Sequence, residues 1–301
     1  MKTKGSVKVK MCTGDRVFTV ISWIVLIAIL IVVAYPLYFI IIASFSNPTM
    51  VYQGKIRLIP KGITLLGYTR TFANKNLWLG YRNTICYAIV GTTLNVFLTM
   101  TAGYALSIRK MFGRRVVLFL ITFTMYFGGG IIPTYFLIKD LHLLNNFWVM
   151  ILPGAVSAYN LMIARSFLES NIPEELYEAA EIDGCSRLIF FRKVVMPLSK
   201  TLIAILVLYY GVGHWNAYFD ALMYVSDRDK APLQVVLREI LLQNQFNIDD
   251  ISDPETQSIL QELSNSIKYV VIIVSSIPVL ILYPLLQKHF VKGVMIGSVK
   301  G

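Results

Sequence analysis

The chain has 301 residues, of which 56% are hydrophobic and only 15% are charged, and its formal net charge is +11. A charged fraction so far below the roughly 25% of soluble domains excludes an ordinary soluble protein and indicates a membrane protein. The positive charge does not indicate nucleic-acid binding, because most lysines and arginines lie in short segments that flank apolar runs.

Six apolar runs are long enough, or nearly so, to cross the roughly 30 Å hydrocarbon layer of a bilayer. They are residues 17–42, 84–108, 116–138, 147–167, 201–225 and 269–286. The sequence therefore predicts an all-α membrane protein with six transmembrane helices.

The first apolar run has one alternative interpretation, because lysines precede it as they precede the core of a secretory signal peptide. The run is about twice as long as a signal core, and no A-x-A cleavage site follows it. These features favour a transmembrane helix over a signal peptide.

Lysine and arginine also predict the orientation, since they are enriched in the short cytoplasmic loops of membrane proteins. They cluster in residues 1–16, in the loop 109–115, around the insert 169–200 and in residues 288–301. We therefore expect both termini and the insert on the cytoplasmic side, and the long loops 43–83 and 226–268 outside. One membrane domain would occupy residues 17–287, in the plasma (inner) membrane of a prokaryote.

The third span and the second outer loop each leave two interpretations open. Gly128, Gly129 and Gly130 indicate a break in residues 116–138 or its outer end, with close helix packing favoured over a gate. In the outer loop, a helical face is predicted to cap the bundle or lie on the membrane, or to dock another protein. That face consists of Leu233, Val236, Leu237, Ile240 and Leu241.

Cysteine and histidine give no sign of a metal site or a disulfide framework. The three cysteines are odd in number and lie outside the predicted outer loops, and none of the three histidines has a partner at ligand spacing. We predict no metal ligand and no catalytic residue in this chain.

The insert 169–200 is unusually charged for a membrane protein. Glu174 and Glu175 suit the positive end of a helix that begins near Pro173, and Asp183-Gly184 suits its C-terminal end. A second short helix is expected from about Ser186 until Pro197. From physics alone, this helix–turn–helix is either a solvated amphipathic loop or a docking surface.

The insert resembles the EAA loop of ABC-importer permeases, whose pattern is E-A-A, three residues, G, nine residues, I-x-L-P. This chain has Glu178-Ala179-Ala180, then Gly184, then Val194-x-Met196-Pro197 at the same spacings, with two conservative departures. The resemblance implies that the loop docks in a cleft of an ATPase subunit. It assigns the coupling role to Glu178, Ala179, Ala180, Asp183, Gly184 and Pro197.

The resemblance covers nearly the whole chain. GYRNTICYAIVGTTLNVFLTMTAGYALS and QKHFVKGVMIGSVKG resemble the second permease of maltose-type carbohydrate importers. GGGIIPTYFLI, ILPGAVSAYNLMI and GHWNAYFDALMYV resemble a subgroup that handles oligosaccharides from complex polysaccharides. The family implies a second permease, two ATPase subunits and an extracytoplasmic solute-binding protein as partners. It also implies that the tail 291–301 reaches between the ATPase subunits.

ATP chemistry is expected in a partner, because the chain has no G-x-x-x-x-G-K-[ST] loop to hold phosphates. The resemblance implies that ATP and Mg²⁺ bind the ATPase subunits and that this chain carries no cofactor. We therefore predict a translocation subunit that is not an enzyme.

A substrate pathway is predicted where aromatic and polar side chains coincide in the fifth span, since polar groups at membrane depth usually face a cavity or the bundle interior. The candidates are His214, Trp215, Asn216, Tyr218 and Asp220, with Asn83 and Asn160 as weaker ones. Packing between helices is an equally favoured role for them.

Two other classes of function are weighed against the importer. An ion-driven secondary transporter would use Asp220 or His214, and would leave the EAA loop without a purpose. A membrane-embedded enzyme would need paired catalytic groups, which no spacing provides. The resemblance points to oligosaccharides as cargo, acidic ones among them, and leaves neutral oligosaccharides or a non-sugar solute as alternatives.

Overall fold

The computed structural model describes residues 12–249, 264 and 267–284, and every regular element within these ranges is a helix. Fourteen α-helices are numbered in chain order, with 3-10 turns at Phe147–Met150 and Arg228–Lys230 and a π-helical turn at Phe191–Val195. They are α1 Thr13–Ser44, α2 Pro48–Tyr52, α3 Leu66–Ala73, α4 Lys75–Ser107, α5 Arg114–Tyr126, α6 Ile131–Asp140, α7 Ala158–Asn171, α8 Glu174–Ile182, α9 Arg187–Phe190, α10 Met196–Leu198, α11 Lys200–Trp215, α12 Phe219–Tyr224, α13 Leu233–Asp249 and α14 Ile267–Pro284.

Three of these helices, α1, α4 and α14, are each long and apolar enough to cross a membrane. Two bent pairs raise the number to five within the described residues: α5 with α6, at 117°, and Arg187–Leu198 with α11, at 79°. The fourth predicted span, 147–167, is instead a 3-10 turn followed by irregular chain and the 14-residue α7. The count of six spans therefore stays a prediction.

The chain forms two compact units. The first takes its residues from Met1–Arg70 and Ile248–Ile273, and the second from Thr71–Asn247 and Val274–Gly301. In the first unit, α1 buries only its last residues, and Ile42 and Ala43 form a small core with Val51 and Ile56. An apolar helix with so little burial is suited to a lipid or protein environment rather than to water.

In the second unit, α4 is the central helix and packs against α7 and α11. Gly103 of α4 allows a close crossing with α7, because a Cβ at this position would lie 3.0 Å from Ala164 Cβ. The core between these helices includes Met100, Leu168 and Leu206, all almost fully buried. Small residues that let backbones approach are the usual means of packing helices in membranes.

The glycine run interrupts the third predicted span, as expected. Gly130, with φ +86°, lies in the break between α5 and α6, and this backbone conformation favours glycine. Built Cβ atoms at Gly128, Gly129 and Gly130 would meet no heavy atom closer than 3.9 Å among the described residues. The expected close helix packing at these glycines is therefore not found among the described residues, and the backbone conformation accounts for glycine at position 130.

The predicted amphipathic helix in the second outer loop is α13, and its apolar face packs onto the start of α4. Leu233, Val236, Leu237 and Ile240 are buried. Gly80 allows the contact, since a Cβ there would lie 3.0 Å from Val236 Cγ2 and 3.1 Å from Leu233 Cα. This face of α13 is therefore a cap on the second unit rather than a free docking surface.

Candidate functional site

The charged insert folds as a helix–turn–helix, and α8 begins and ends where capping chemistry predicts. Pro173 is the N-cap residue, and Glu174 and Glu175 occupy the first turn, where carboxylates favour the positive end of the helix dipole. Gly184 has φ +77°, and the Gly184 and Cys185 N–H groups donate to the carbonyls of Glu181 and Ala180. This pair of bonds is a Schellman motif, which ends the helix after Ile182.

The second helical segment runs from α9 through the π-helical turn to α10. Ser186 caps its start by accepting a hydrogen bond from the Ile189 N–H at 3.4 Å. Pro197 lacks an N–H, so the Lys193 carbonyl has no ordinary partner in the next turn, and the π-helical turn lies just before this proline. The segment continues past Pro197 to Leu198 and then bends into α11.

Tyr177 anchors α8 to the core of the second unit. The side chain is only 8% exposed, and its ring packs edge-to-face on Phe190 of α9 at 5.3 Å between centroids. The Arg187 guanidinium covers the Tyr177 ring at 4.2 Å. Ala180 also packs against this core. The insert is thus packed on one side against the helical unit, an arrangement that fits both an amphipathic loop with a solvated face and a docking surface.

The opposite side of α8 is exposed and combines acids with apolar groups. Ile182 is 88% exposed and Leu188, in α9, is 77% exposed. Exposed apolar groups of this size are candidates for contact with another protein. We define the coupling surface as Glu178, Ala179, Ile182, Asp183, Gly184 and Leu188, all exposed.

Ion pairs join α8 to the loop that links α4 and α5. Lys110 Nζ lies 3.2 Å from Glu178 Oε1 and 3.4 Å from Glu174 Oε1. The hydrogen bond to Glu178 and the charge of Glu174 raise the pKa of Lys110. The glutamate of the E-A-A pattern therefore already has a partner within its own chain, which sequence patterns did not indicate.

A second carboxylate, Glu169, lies near the end of α7 and faces three arginines. Arg114 Nη2 donates to its carboxylate at 3.0 Å, and Arg109 Nε lies 3.4 Å from it. Arg165, one helical turn earlier in α7, also donates to this carboxylate. Burial acts to raise the pKa of Glu169, but the charges of Arg165, Arg114 and Arg109 outweigh it, and the pKa is lowered. Glu169 is therefore ionised at neutral pH.

The predicted pathway residue His214 forms part of a polar seam between α4 and α11. Asn95 Nδ2 donates to His214 Nε2 at 3.0 Å. One turn away, Thr99 and Tyr210 share a hydroxyl hydrogen bond of 2.7 Å, and the Ser157 N–H donates to the Tyr210 hydroxyl. His214 thus joins helices, which is the packing role that the sequence left open.

Sequence reasoning missed the α4 side of this seam. Thr92, Asn95 and Thr99 are buried, and the Thr92 hydroxyl and Asn95 carbonyl have no hydrogen-bond partner among the described residues. Their spacing of three and four residues places them on one helical face. That spacing, within an apolar span, was a signal that could have identified them.

Trp215 is also engaged within the chain. Its indole N–H donates to the Ser275 carbonyl of α14 at 3.0 Å, and its ring lies 6.0 Å from that of Tyr81. It borders a cavity of about 650 Å³ between α4, α11 and α14, whose other walls are mostly aliphatic, with Thr92 among the few polar groups. A lining of this kind does not suit a hydroxyl-rich solute.

The remaining predicted pathway residues separate into two groups. Asn83 is buried and donates from Nδ2 to the carbonyls of Asp229 at 2.7 Å and Ala231 at 3.0 Å, so it fixes the outer loop. Asn160 is buried in the first turn of α7. By contrast, Asn216 and Asp220 are exposed, and Tyr218 is half-buried under the Arg238 guanidinium at 5.4 Å.

Comparison with known proteins agrees with this all-helical arrangement. The family described as "Binding-protein-dependent transport system inner membrane component" matches residues 13–296. The chain belongs to this family. This permease is therefore a membrane component of a transport system that depends on a binding protein, not an enzyme, and nothing supports an ion-driven secondary transporter.

The permease has relatives of nearly the same length. The polygalacturonan/rhamnogalacturonan transport system permease protein YtcP of Bacillus subtilis is 39% identical, over 95% of this chain and 99% of that protein. Protein LplC of the same organism is 38% identical, over 96% of each. The arabinooligosaccharides permease AraQ of Halalkalibacterium halodurans is 28% identical, over 94% of this chain and 98% of that protein.

A solved structure also resembles the permease. One chain of a bacterial ABC transporter involved in the import of the acidic polysaccharide alginate is 32% identical to it, with a TM-score of 0.83. The match covers 94% of this permease and all of that chain. The helical fold is therefore that of an ABC-importer permease.

Proposed function

We propose that this permease is the translocation subunit of an ATP-driven oligosaccharide importer in a prokaryotic plasma membrane. The observation that carries the proposal is the coupling surface, which is exposed on one side of α8 while Tyr177 fixes the other side to the core. A partner that moves this surface moves packed helices. Alternating access then follows if ATP and cargo bind the two states of the importer with different affinities.

The proposed assembly contains a second permease, two ATPase subunits that hold ATP and Mg²⁺, and an extracytoplasmic binding protein. In this permease, Glu178 and Asp183 would offer fixed charges to the ATPase, and Ala179 would allow a close approach. The proposed topology has six spans with both termini in the cytoplasm. The resemblance of the chain to maltose-type permeases supports these partners.

The proposed cargo is an oligosaccharide from a complex polysaccharide, with acidic sugars favoured. YtcP is named for polygalacturonan and rhamnogalacturonan, and the solved relative imports alginate, which is also acidic. Among the predicted pathway residues, Asn216, Tyr218 and Asp220 are the accessible ones and are proposed to meet the solute. His214, Trp215 and Asn83 are bonded within the chain and would shape the wall of the pathway.

Gentle detergent extraction of the tagged permease from native membranes, followed by mass spectrometry of co-eluting proteins, tests this proposal. An ATPase and a second permease should co-elute with the native chain, and Glu178→Lys should lose the ATPase. Asp140→Lys, which reverses an exposed charge at the end of α6, is the control and should retain it. The proposal fails if no ATPase co-elutes with the native chain under conditions that keep other importers intact.

A further inference from the structure

The cytoplasmic coupling region holds a connected set of ion pairs that the proposed function does not use. Glu169 joins the end of α7 to Arg109 and to Arg114, the first residue of α5. Arg114 Nε also donates to the Leu106 carbonyl in the last turn of α4, at 2.8 Å. One carboxylate and one guanidinium therefore connect the ends of three helices.

Lys110 extends the same set to the coupling helix. It is the next residue after Arg109, and its ammonium group reaches both Glu174 and Glu178, one turn apart on α8. The loop between α4 and α5 thus contacts α7 through one side chain and α8 through the next. Arg109, Lys110 and Arg114 therefore link α4, α5, α7 and α8 through their side chains.

The ion pairs of Glu169 are more buried than those of Lys110 and are therefore expected to be stronger. The side chain of Glu169 is 22% exposed and that of Arg114 is 16% exposed, whereas that of Lys110 is 70% exposed. Partly buried, multiply bonded charges interact more strongly than exposed pairs, which water and salt screen. Loss of Glu169 would also leave three guanidiniums facing one another without a counter-charge, so Glu169 is the stronger of the two ties.

We propose that Glu169 and Lys110 are positioning residues that lock the coupling helix to the ends of α4, α5 and α7, so that these elements move as one body. The inference rests on the proposed function, since it needs an ATPase that displaces α8. Its specific content is that ion pairs, in addition to the Tyr177 anchor, transmit the displacement. Without them, α8 would move while α4 and α5 lag behind.

Pulsed EPR on the assembled complex tests the proposal without knowledge of the cargo. Spin labels are placed at Leu176→Cys on α8 and Arg115→Cys on α5, both exposed and outside the ion pairs, with Cys12, Cys86 and Cys185 changed to serine. In the otherwise native chain, the distance distribution should be narrow and should not shift when ATP and vanadate are added. Glu169→Gln should broaden the distribution and shift it with ATP, and Lys110→Gln should do so to a smaller extent.

Two controls make the outcome specific. Asp140→Asn removes an exposed carboxylate elsewhere and should leave the distance distribution narrow. Glu169→Asp keeps the negative charge and should broaden the distribution less than Glu169→Gln does. The proposal is overturned if the native distance shifts with ATP, or if Glu169→Gln and Lys110→Gln both keep the native distribution. Co-elution of the ATPase with each variant is measured in parallel, so absence of the ATPase from the native complex would mark failure of the proposed function instead.

Discussion

The coupling region and the intramembrane seam use polar residues in opposite ways. Around α8, Glu178 and Asp183 are exposed beside the apolar Ile182, and the anchor Tyr177 faces inward. In the seam between α4 and α11, the polar groups face each other, as Asn95 and His214 do at 3.0 Å. The first arrangement is the one proposed to contact a partner, and the second joins two helices of the same chain.

The difference teaches that a polar residue in a membrane protein does not identify a pathway by its type alone. Polar groups at membrane depth are costly unless bonded, so the nearest helix often satisfies them. Trp215 shows this outcome, since its indole N–H donates to the backbone carbonyl of Ser275 in the same chain. The comparison predicts that substitutions in the coupling region impair assembly, whereas those in the seam impair stability.

The largest effect on ATPase binding is expected at the coupling surface. Ala179→Trp places an indole where a close approach is proposed, and should weaken ATPase binding by about thirtyfold or more, as at interface hot spots. Titration of the purified ATPase against the detergent-solubilised permease measures this change. Arg115→Trp adds the same indole at an exposed residue of α5 and should bind normally. Equal ATPase affinity of the two variants would show that Ala179 does not lie in the interface.

The largest effect on folding stability is expected in the core beneath α8. Phe190 is 2% exposed and packs on Tyr177, so Phe190→Ala should destabilise the chain by about 4 kcal/mol through lost burial and a cavity. Thermal unfolding in detergent measures it. Phe112→Ala removes the same ring from a fully exposed position and should change stability by less than about 0.5 kcal/mol. Similar melting of the two variants would contradict the anchored coupling helix.

A smaller effect is expected in the seam. At Gly91 a Cβ would lie 2.3 Å from His214 Nε2, so Gly91→Ala should displace the imidazole, break its bond to Asn95 and cost about 2 kcal/mol. Gly213→Ala, where a Cβ meets nothing within 4 Å, should instead stabilise α11 by up to about 1 kcal/mol. The ATPase should co-elute normally with both variants. Loss of the ATPase from Gly91→Ala would contradict the prediction that substitutions in the seam impair stability and not assembly.

The smallest effect is a pH dependence at Glu169. Its lowered pKa means that its contribution to folding stability is complete above the ordinary glutamate pKa of about 4.3 and is lost as the pH falls through the folded pKa. The facing groups are arginines, which stay charged throughout. Native protein should therefore be more stable than Glu169→Gln at pH 7, and this difference should shrink below about pH 4.3. A constant difference from pH 7 to pH 3 would exclude this ion-pair contribution.

Much of the coupling helix could be predicted from sequence because its limits depend on local chemistry. Pro173 and Gly184 mark the two ends of α8 through their own backbone preferences, and Gly130 marks the break before α6 in the same way. In the fourth apolar run the regular helix is shorter than the run, because hydropathy does not register Pro153 and Gly154 and α7 begins only after the Ser157 cap.

The contacts between distant residues could not be predicted from one sequence. Asn95 and His214 are 119 positions apart, and Lys110 and Glu178 are 68 apart. Only the packing of α4 on α7 and α11 brings them together, and no local periodicity encodes that. The same limit hid the role of Asn83, whose partners lie in the outer loop.

Site-specific photo-crosslinking tests the central claim most directly. A photoreactive residue at Ile182, on the coupling surface, should crosslink to the ATPase in native membranes, and a residue at Leu137, an exposed apolar position on α6, should not. The account predicts an ATPase adduct from Ile182 alone. Adducts from Leu137 and none from Ile182, in membranes where the ATPase is present, would show that α8 is not the docking element.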